Sequence, residues 1–320
     1  MIHYLISENS PLLAAIGLFM AFGGTCLFLS TLSVYLPRDG GREFAHDGKL
    51  SAGKPRGAGI IFILVFALTA ILFAPVSREN TIYLILITAE MLTGYMDDAS
   101  SHPWGEYRKG LLDLIVAIIV AVTYLNFNSS TIEIASMGVF VTLSPVVFGI
   151  LAVILVWASI NVTNCADGVD GLSGTLAIIT LTTIYVVDNI KNVTGDFSYL
   201  ILLFVICVLG YLWYNATPSR LMMGDAGSRA MGIFISIAVL KTGSPLLYIP
   251  TAFVLIMDGG LGLLKVFLLR FLKIHILTHV RTPLHDHVRK KLEWSNTQTV
   301  SRFAIIQIVI SVAVVYLLLI

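Results

Sequence analysis

Apolar runs recur along the whole chain, each near the roughly 20 residues that a helix needs to span the hydrocarbon core of a bilayer. Composition agrees: 57% of the 320 residues are hydrophobic and 12% are charged, where soluble domains carry about 25% charge. No polar block is long enough for a large soluble domain. Met1 to Ser10 contain no Lys or Arg, and the run that follows is too long for a signal peptide, so it is expected to remain as a helix. The expected fold is an all-α polytopic membrane protein, with residues 1–320 forming a single integral membrane domain without a soluble linker or repeat.

The runs predict about ten transmembrane helices. The first four fall near 11–36, 57–74, 81–96 and 110–125. Helix five starts at Pro145 and leads into the loop Asn164 to Gly174, and helices six and seven fall near 172–187 and 199–214. Helix eight ends near Lys241, helix nine runs over about 248–273, and helix ten follows Thr299. Asp258-Gly259-Gly260 predicts a break in helix nine, because paired glycines weaken a helix. Between helices four and five, Thr131-Ile-Glu-Ile and Val139-Phe-Val-Thr flank Ser136-Met-Gly, a small β-hairpin signal. Of 20 Lys and Arg, all but Arg78, Lys191 and Lys241 fall on alternate loops or on helix nine. By the positive-inside rule those loops are cytoplasmic and both termini lie outside. Asp188 is expected in an outer loop.

That topology gathers the unusual acids at one face. Asp97 and Asp98 end helix three, Asp167 and Asp170 lie in the glycine-rich loop, and Asp225 stands in Gly224-Asp-Ala-Gly-Ser. Each Asp alone can be a helix cap or an ion-pair partner. An acidic pair at a helix C-terminus opposes the dipole, however, and favours a bound cation. Five carboxylates with basic residues around them suggest a divalent metal handling phosphates, and oxygen-only ligands suit Mg2+ or Mn2+. His275, His279, His285 and His287 share one basic loop. His285-x-His287 with its Arg and Lys neighbours reads as a polyanion clamp before a zinc site, with a solvated basic loop as the plain alternative. The absence of a Gly-x-x-x-x-Gly-Lys-Ser/Thr loop argues against an ATP-driven motor. Cys26, Cys165 and Cys207 read as small buried hydrophobes.

Four motifs in order, namely the acidic pair Asp97-Asp98, Asn164-x-x-Asp-Gly-x-Asp-Gly-Leu, Gly224-Asp-x-Gly-Ser and Pro283-Leu-His-x-His, resemble the polyprenyl-phosphate N-acetylhexosamine-1-phosphate transferases over nearly the entire chain. Thr282-Pro-Leu-His-x-His is most similar to the branch that uses UDP-MurNAc-pentapeptide as donor and undecaprenyl phosphate as acceptor, giving lipid I and UMP with Mg2+. The resemblance implies Asp225 as the metal ligand, Asp97 and Asp98 as the catalytic pair, and Lys49, Asn164, Asp167, Gly168, Asp170, Asn215, His285 and His287 as substrate-binding residues. It further implies a bacterial inner membrane location with a cytoplasm-facing site, membrane lipids as neighbours, no nucleic acid partner, a homodimer as an accessible state and nucleoside antibiotics as inhibitors. The sequence departs from the pattern at four points. His-His-His is His285-Asp286-His287, Thr-Pro-Thr is Lys54-Pro55-Arg56, the aromatic three residues before the metal Asp is Met222, and Ser101 stands where a Lys follows the acidic pair.

Two rivals follow from the same residues. A sister transferase would take UDP-GlcNAc or another UDP-sugar. A cation-coupled transporter would place acids and broken helices at the midplane, whereas nearly all the acids here lie at one face, with Asp258 the main exception.

Overall fold

The computed structural model describes residues 11–41, 51–75, 77–135, 137–191 and 195–319; Lys49 lies outside them. In chain order the long helices are α1 (Pro11–Leu32), α2 (Gly59–Phe73), α3 (Arg78–Asp98), α4 (Glu106–Phe127), α5 (Pro145–Cys165), α6 (Leu172–Lys191), α7 (Gly195–Asn215) and α8 (Gly224–Lys241). A bent pair follows, α9 (Pro245–Thr251) and α10 (Phe253–Leu272), which meet at 73°. The short α11 (Leu284–Lys291) and the long α12 (Asn296–Leu319) complete the chain. The hairpin forms as β1 (Thr131–Ile134) antiparallel to β2 (Val139–Thr142), with Thr131 opposite Thr142.

Six helices are long and apolar enough to cross a membrane, or seven with the bent pair taken as one. The protein is therefore multi-pass. Helices α2, α3 and α8 fall outside that set for physical reasons. Helix α2 has 15 residues, and α3 carries Arg78, Glu79, Glu90, Asp97 and Asp98. Helix α8 carries Asp225, Arg229 and Lys241 in its 18 residues, and it is buried from Gly224 to Leu240, so its side chains face protein instead of lipid.

Helix α8 is the axis on which the site is built, and α3 and α5 are its main neighbours. In a bilayer, helices gain little from burying apolar area against one another, so close backbone approach through small residues supplies the cohesion. A Cβ on Gly94 of α3 would lie 2.5 Å from the Asp225 carbonyl, and one on Gly59 of α2 would lie 2.0 Å from the Gly227 nitrogen. Capping fixes where the neighbours start. The Ser77 and Ser144 side chains accept backbone N–H bonds at the heads of α3 and α5, a saving of about 1 kcal/mol each.

Three local expectations need correction. The bend in the ninth segment falls at Ala252, whereas Ile256–Gly260 continues as a π-helical turn. Gly259 serves close packing: a Cβ there would sit 2.1 Å from the Val162 carbonyl oxygen of α5. The stretch expected as an uninterrupted basic loop contains α11, which presents His285. Asp188 lies within α6, is buried and accepts a bond from Ser198.

Candidate active site

Asp97 and Asp98 end α3, Asp225 opens α8, and the contact through Gly94 brings these ends together. Asp98 is committed to structure on both oxygens. Oδ1 accepts the Asp225 N–H at 3.1 Å and Oδ2 the Ala226 N–H at 3.0 Å, so it caps α8 from a neighbouring helix. A carboxylate there also complements the helix dipole. Gly224 makes the cap feasible. Its φ is +67°, and a Cβ would lie 2.2 Å from Asp98 Oδ2, so only glycine fits.

Two side-chain cations bind this cluster: Lys109 did not stand out in the sequence, and Arg56 did so only as the last residue of Lys54-Pro55-Arg56. Lys109, in the first turn of α4, places Nζ 2.5 Å from Asp97 and 2.9 Å from Asp225. The expected lysine directly after the acidic pair is missing, and Lys109 reaches the pair from the next helix. The only signal for it was the basic pair Arg108-Lys109 at the head of an apolar run. Arg56 lies 2.9 Å from Asp98, 3.6 Å from Asp225 and 3.7 Å from Asp39. Burial disfavours its charge, but Asp98, Asp225 and Asp39 outweigh burial and hold its pKa above the ordinary guanidinium value. Asp39 in turn ties the preceding loop together, accepting from Ser51 Oγ at 2.6 Å and Gly41 N at 3.1 Å.

A cavity of about 660 Å³, which meets this cluster through Met222 and Met223 just before Gly224, is lined by Asn164, Asp167, Gly168, Asp170, Asn215 and His285, together with Lys54, Asp286 and Arg289; Asp97, Asp98 and Asp225 are not among its lining residues. Six residues singled out from sequence thus share one wall. They differ in what they hold. Asn215 accepts from Gly171 N at 2.8 Å and donates to the Leu221 carbonyl at 2.9 Å, pinning the glycine-rich loop to the end of α7. Asp167 accepts from Ser173 Oγ at 2.5 Å at the start of α6. Asn164 donates to Ser228 Oγ at 2.9 Å, one turn into α8. Asp170 faces Lys54 at 3.6 Å, and Lys54 also donates to Ser219 Oγ at 2.9 Å.

His285 is held by Asp258, which accepts its backbone N–H at 2.7 Å and its Nδ1 at 2.8 Å. A carboxylate accepts only, so Nδ1 carries the hydrogen and Nε2 is left for the cavity. Gly168 lies directly against Nε2; a Cβ there would come within 2.2 Å. His287 does different work. Its Nδ1 accepts the Arg281 N–H at 3.1 Å and closes the loop, and it is not among the residues that line the cavity.

Among the described residues, no three His, Cys, Asp or Glu side chains converge as a ready-made metal cage. Mg2+ commonly binds through one or two carboxylates and completes its shell with water and substrate phosphates. Asp97 and Asp225 are an all-oxygen pair that already holds a cationic centre, Lys109 Nζ, between them. That donor set fits a hard divalent ion.

The family described as glycosyl transferase family 4 matches residues 80–243, about half of the chain. The matched region contains the acidic pair, Lys109, the glycine-rich loop, Asn215 and Asp225. Phospho-N-acetylmuramoyl-pentapeptide-transferase of Treponema pallidum (strain Nichols) is 39% identical over 324 residues, covering 94% of this chain and 88% of that protein. The proteins of the same name from Symbiobacterium thermophilum and Nitratiruptor sp. are 30% and 26% identical, each covering 82% of this chain and 81% and 80% of theirs. With the motifs, the carboxylate cluster and this similarity in agreement, the chain belongs to the phospho-N-acetylmuramoyl-pentapeptide-transferase family.

Proposed function

We infer that this protein transfers phospho-MurNAc-pentapeptide from its UDP carrier to undecaprenyl phosphate, releasing UMP and forming lipid I for peptidoglycan synthesis. The observation that carries the reading is the convergence of Asp97, Asp98 and Asp225 with Lys109 and Arg56 beside the 660 Å³ cavity. The chemistry needs anionic phosphates brought together and their growing charge neutralised, and fixed charges aimed at that point supply much of a catalyst's effect. Lys109 and Arg56 draw the donor pyrophosphate and the lipid phosphate to one place. Asp97 takes the proton of the lipid phosphate, whose oxygen then attacks the sugar-linked phosphorus in line with departing UMP. Asp98 acts through α8, since both its oxygens are bound to the helix that carries Asp225. Asp225 would hold Mg2+ or Mn2+, with water and substrate phosphates completing its shell, and the ion would supply Lewis-acid neutralisation of the pyrophosphate. Asn164, Asp167, Gly168, Asp170 and Asn215 shape the nucleotide side of the cavity, His285 and Arg289 face its polyanion, and Lys49 belongs to the same substrate-binding set.

The reading includes ten crossings, with α9 and α10 taken as one, in a bacterial inner membrane. The site faces the cytoplasm and both termini lie outside, in accord with the charge bias of the loops. Cysteines placed at Met137 and Ser295 are expected to label from opposite faces of sealed cells; labelling from one face would overturn the orientation. The activity is tested by incubating purified protein with undecaprenyl phosphate and, separately, UDP-MurNAc-pentapeptide or UDP-GlcNAc. UMP is expected with the first donor. UMP with UDP-GlcNAc alone would assign the protein to the sister reaction, and no UMP with either would overturn the enzyme reading.

A further inference from the structure

The Lys109–Asp225 contact is the first rung of a ladder between α4 and α8. One turn deeper, Asp113 of α4 pairs with Arg229 of α8, and the same guanidinium nitrogen lies 2.9 Å from Glu90 of α3. Asn161 of α5 donates to the other Asp113 oxygen at 3.1 Å. Glu90, Asp113 and Arg229 are 0%, 1% and 2% exposed. All three are spent on one another, one turn deeper than the Asp97–Lys109–Asp225 cluster. Charges this deep in a membrane protein are costly and persist where they do something.

The polarity of the rungs alternates. Lys109 and Asp113 are four residues apart on α4, and Asp225 and Arg229 are four apart on α8, so each pair lies on one helix face. Sliding α4 by one turn, about 5.4 Å, in one direction brings Lys109 level with Arg229. Sliding it the other way brings Asp113 level with Asp225. Either slip sets like charges together, and only the observed register pairs every charge. Helix α4 needs such a lock. Helices α2, α3 and α5 approach α8 through Gly59, Gly94 and Gly232, while no glycine of α4 makes such an approach and α4 meets α8 over a short stretch.

We propose that Glu90, Asp113 and Arg229 are positioning residues: they lock the register of α3, α4 and α8 and thereby hold Lys109 against Asp97 and Asp225 in reacting geometry. The inference rests on the active-site reading above. A misplacement of about 1 Å costs an enzyme on the order of 100-fold in rate, so a ladder that fixes one lysine to that accuracy is worth its buried charge.

The test is steady-state kinetics of full-length variants in detergent, with thermal unfolding alongside. Arg229→Gln is expected to lower kcat by about 10- to 100-fold with KM for both substrates little changed, and Arg229→Lys, which restores the charge, to recover most of it. A packing role alone would lower yield and Tm at constant kcat and would not separate Lys from Gln. Because Arg229→Gln strands two buried carboxylates, the neutral triple variant Glu90→Gln/Asp113→Asn/Arg229→Gln is measured as well. It is expected to stay folded and to keep the low kcat, since isosteric neutral groups remove the stranded charge. Wild-type kcat in the folded triple variant would overturn the proposal, and loss of fold in both variants would make the triad a folding requirement instead. Lys109→Gln separates the two readings. If it is fully active the active-site reading fails, whereas an impaired Lys109→Gln beside a fully active Arg229→Gln overturns the ladder alone.

Discussion

Both ends of the helix bundle carry clusters of carboxylates and cations, and they are assembled on different plans. At the end away from the site, Glu79 and Glu133 each have a cation of their own. Glu79 is 2.8 Å from Lys241 and accepts from Tyr83 and Asn128. Glu133 is 2.5 Å from Lys191, which also donates to Thr242 and Ser244 and so ties the hairpin to the end of α8. At the site, Asp39, Asp97, Asp98 and Asp225 share Lys109 and Arg56. Matched charge makes a fastener. A cluster with more acid than base, set beside a cavity, retains capacity for a cation and for phosphates that arrive with one.

The contrast can be broken most sharply at Asp225. Asp225→Asn keeps the volume and removes the charge, and UMP release is expected to fall by about 1000-fold or more with little recovery at raised Mg2+; substantial activity at ordinary Mg2+ would move the metal to other carboxylates. Lys109→Gln comes next, with kcat lowered by roughly 100-fold, the scale of one lost charge-stabilising group. Steady-state UMP release measures it, and a change confined to KM would show that Lys109 only holds substrate. Gly168→Ala is smaller. Its Cβ drives the His285 ring away from the cavity wall, and KM for the UDP donor is expected to rise about tenfold, equivalent to roughly 1.4 kcal/mol. The smallest effect belongs to the opposite end. Lys241→Met leaves Glu79 with neutral donors only and is expected to lower stability by about 1–3 kcal/mol, read as Tm, while kcat stays within about twofold. A large loss of turnover there would erase the distinction between fastener and site.

The carboxylates that cluster at the candidate site drew attention in the sequence because acids and glycines between apolar runs are conspicuous. Their partners did not. Lys109 reads as an ordinary basic residue at a helix head, and it reaches Asp97 and Asp225 only because α4 packs beside α3 and α8. Asp258 looked like a midplane acid in a broken helix. It is the anchor of His285, 27 residues away, and no local pattern carries that pairing. The hairpin and the long apolar helices followed from periodicity and length, but the bend at Ala252 did not, because paired glycines mark both flexibility and close contact. Gly259 turned out to serve the second. Asp188 shows the same limit: its neighbours in sequence suggested an exposed loop, while in the fold α6 continues past it and buries it.

The Glu90–Arg229–Asp113 triad also bears on how the chain enters the membrane. Helix α8 carries Arg229 between Asp225 in its first turn and Lys241 in its last, and a charge inside an inserting helix is costly. Alone, α8 is a poor substrate for the insertion machinery. Helices α3 and α4 are synthesised before it, so Glu90 and Asp113 are already in the bilayer when Arg229 arrives, and Arg229 partitions from the translocon onto them instead of into lipid. Chain order therefore makes the earlier helices the receptor for the later one, and the residues that set the register of the finished enzyme first serve as its assembly address.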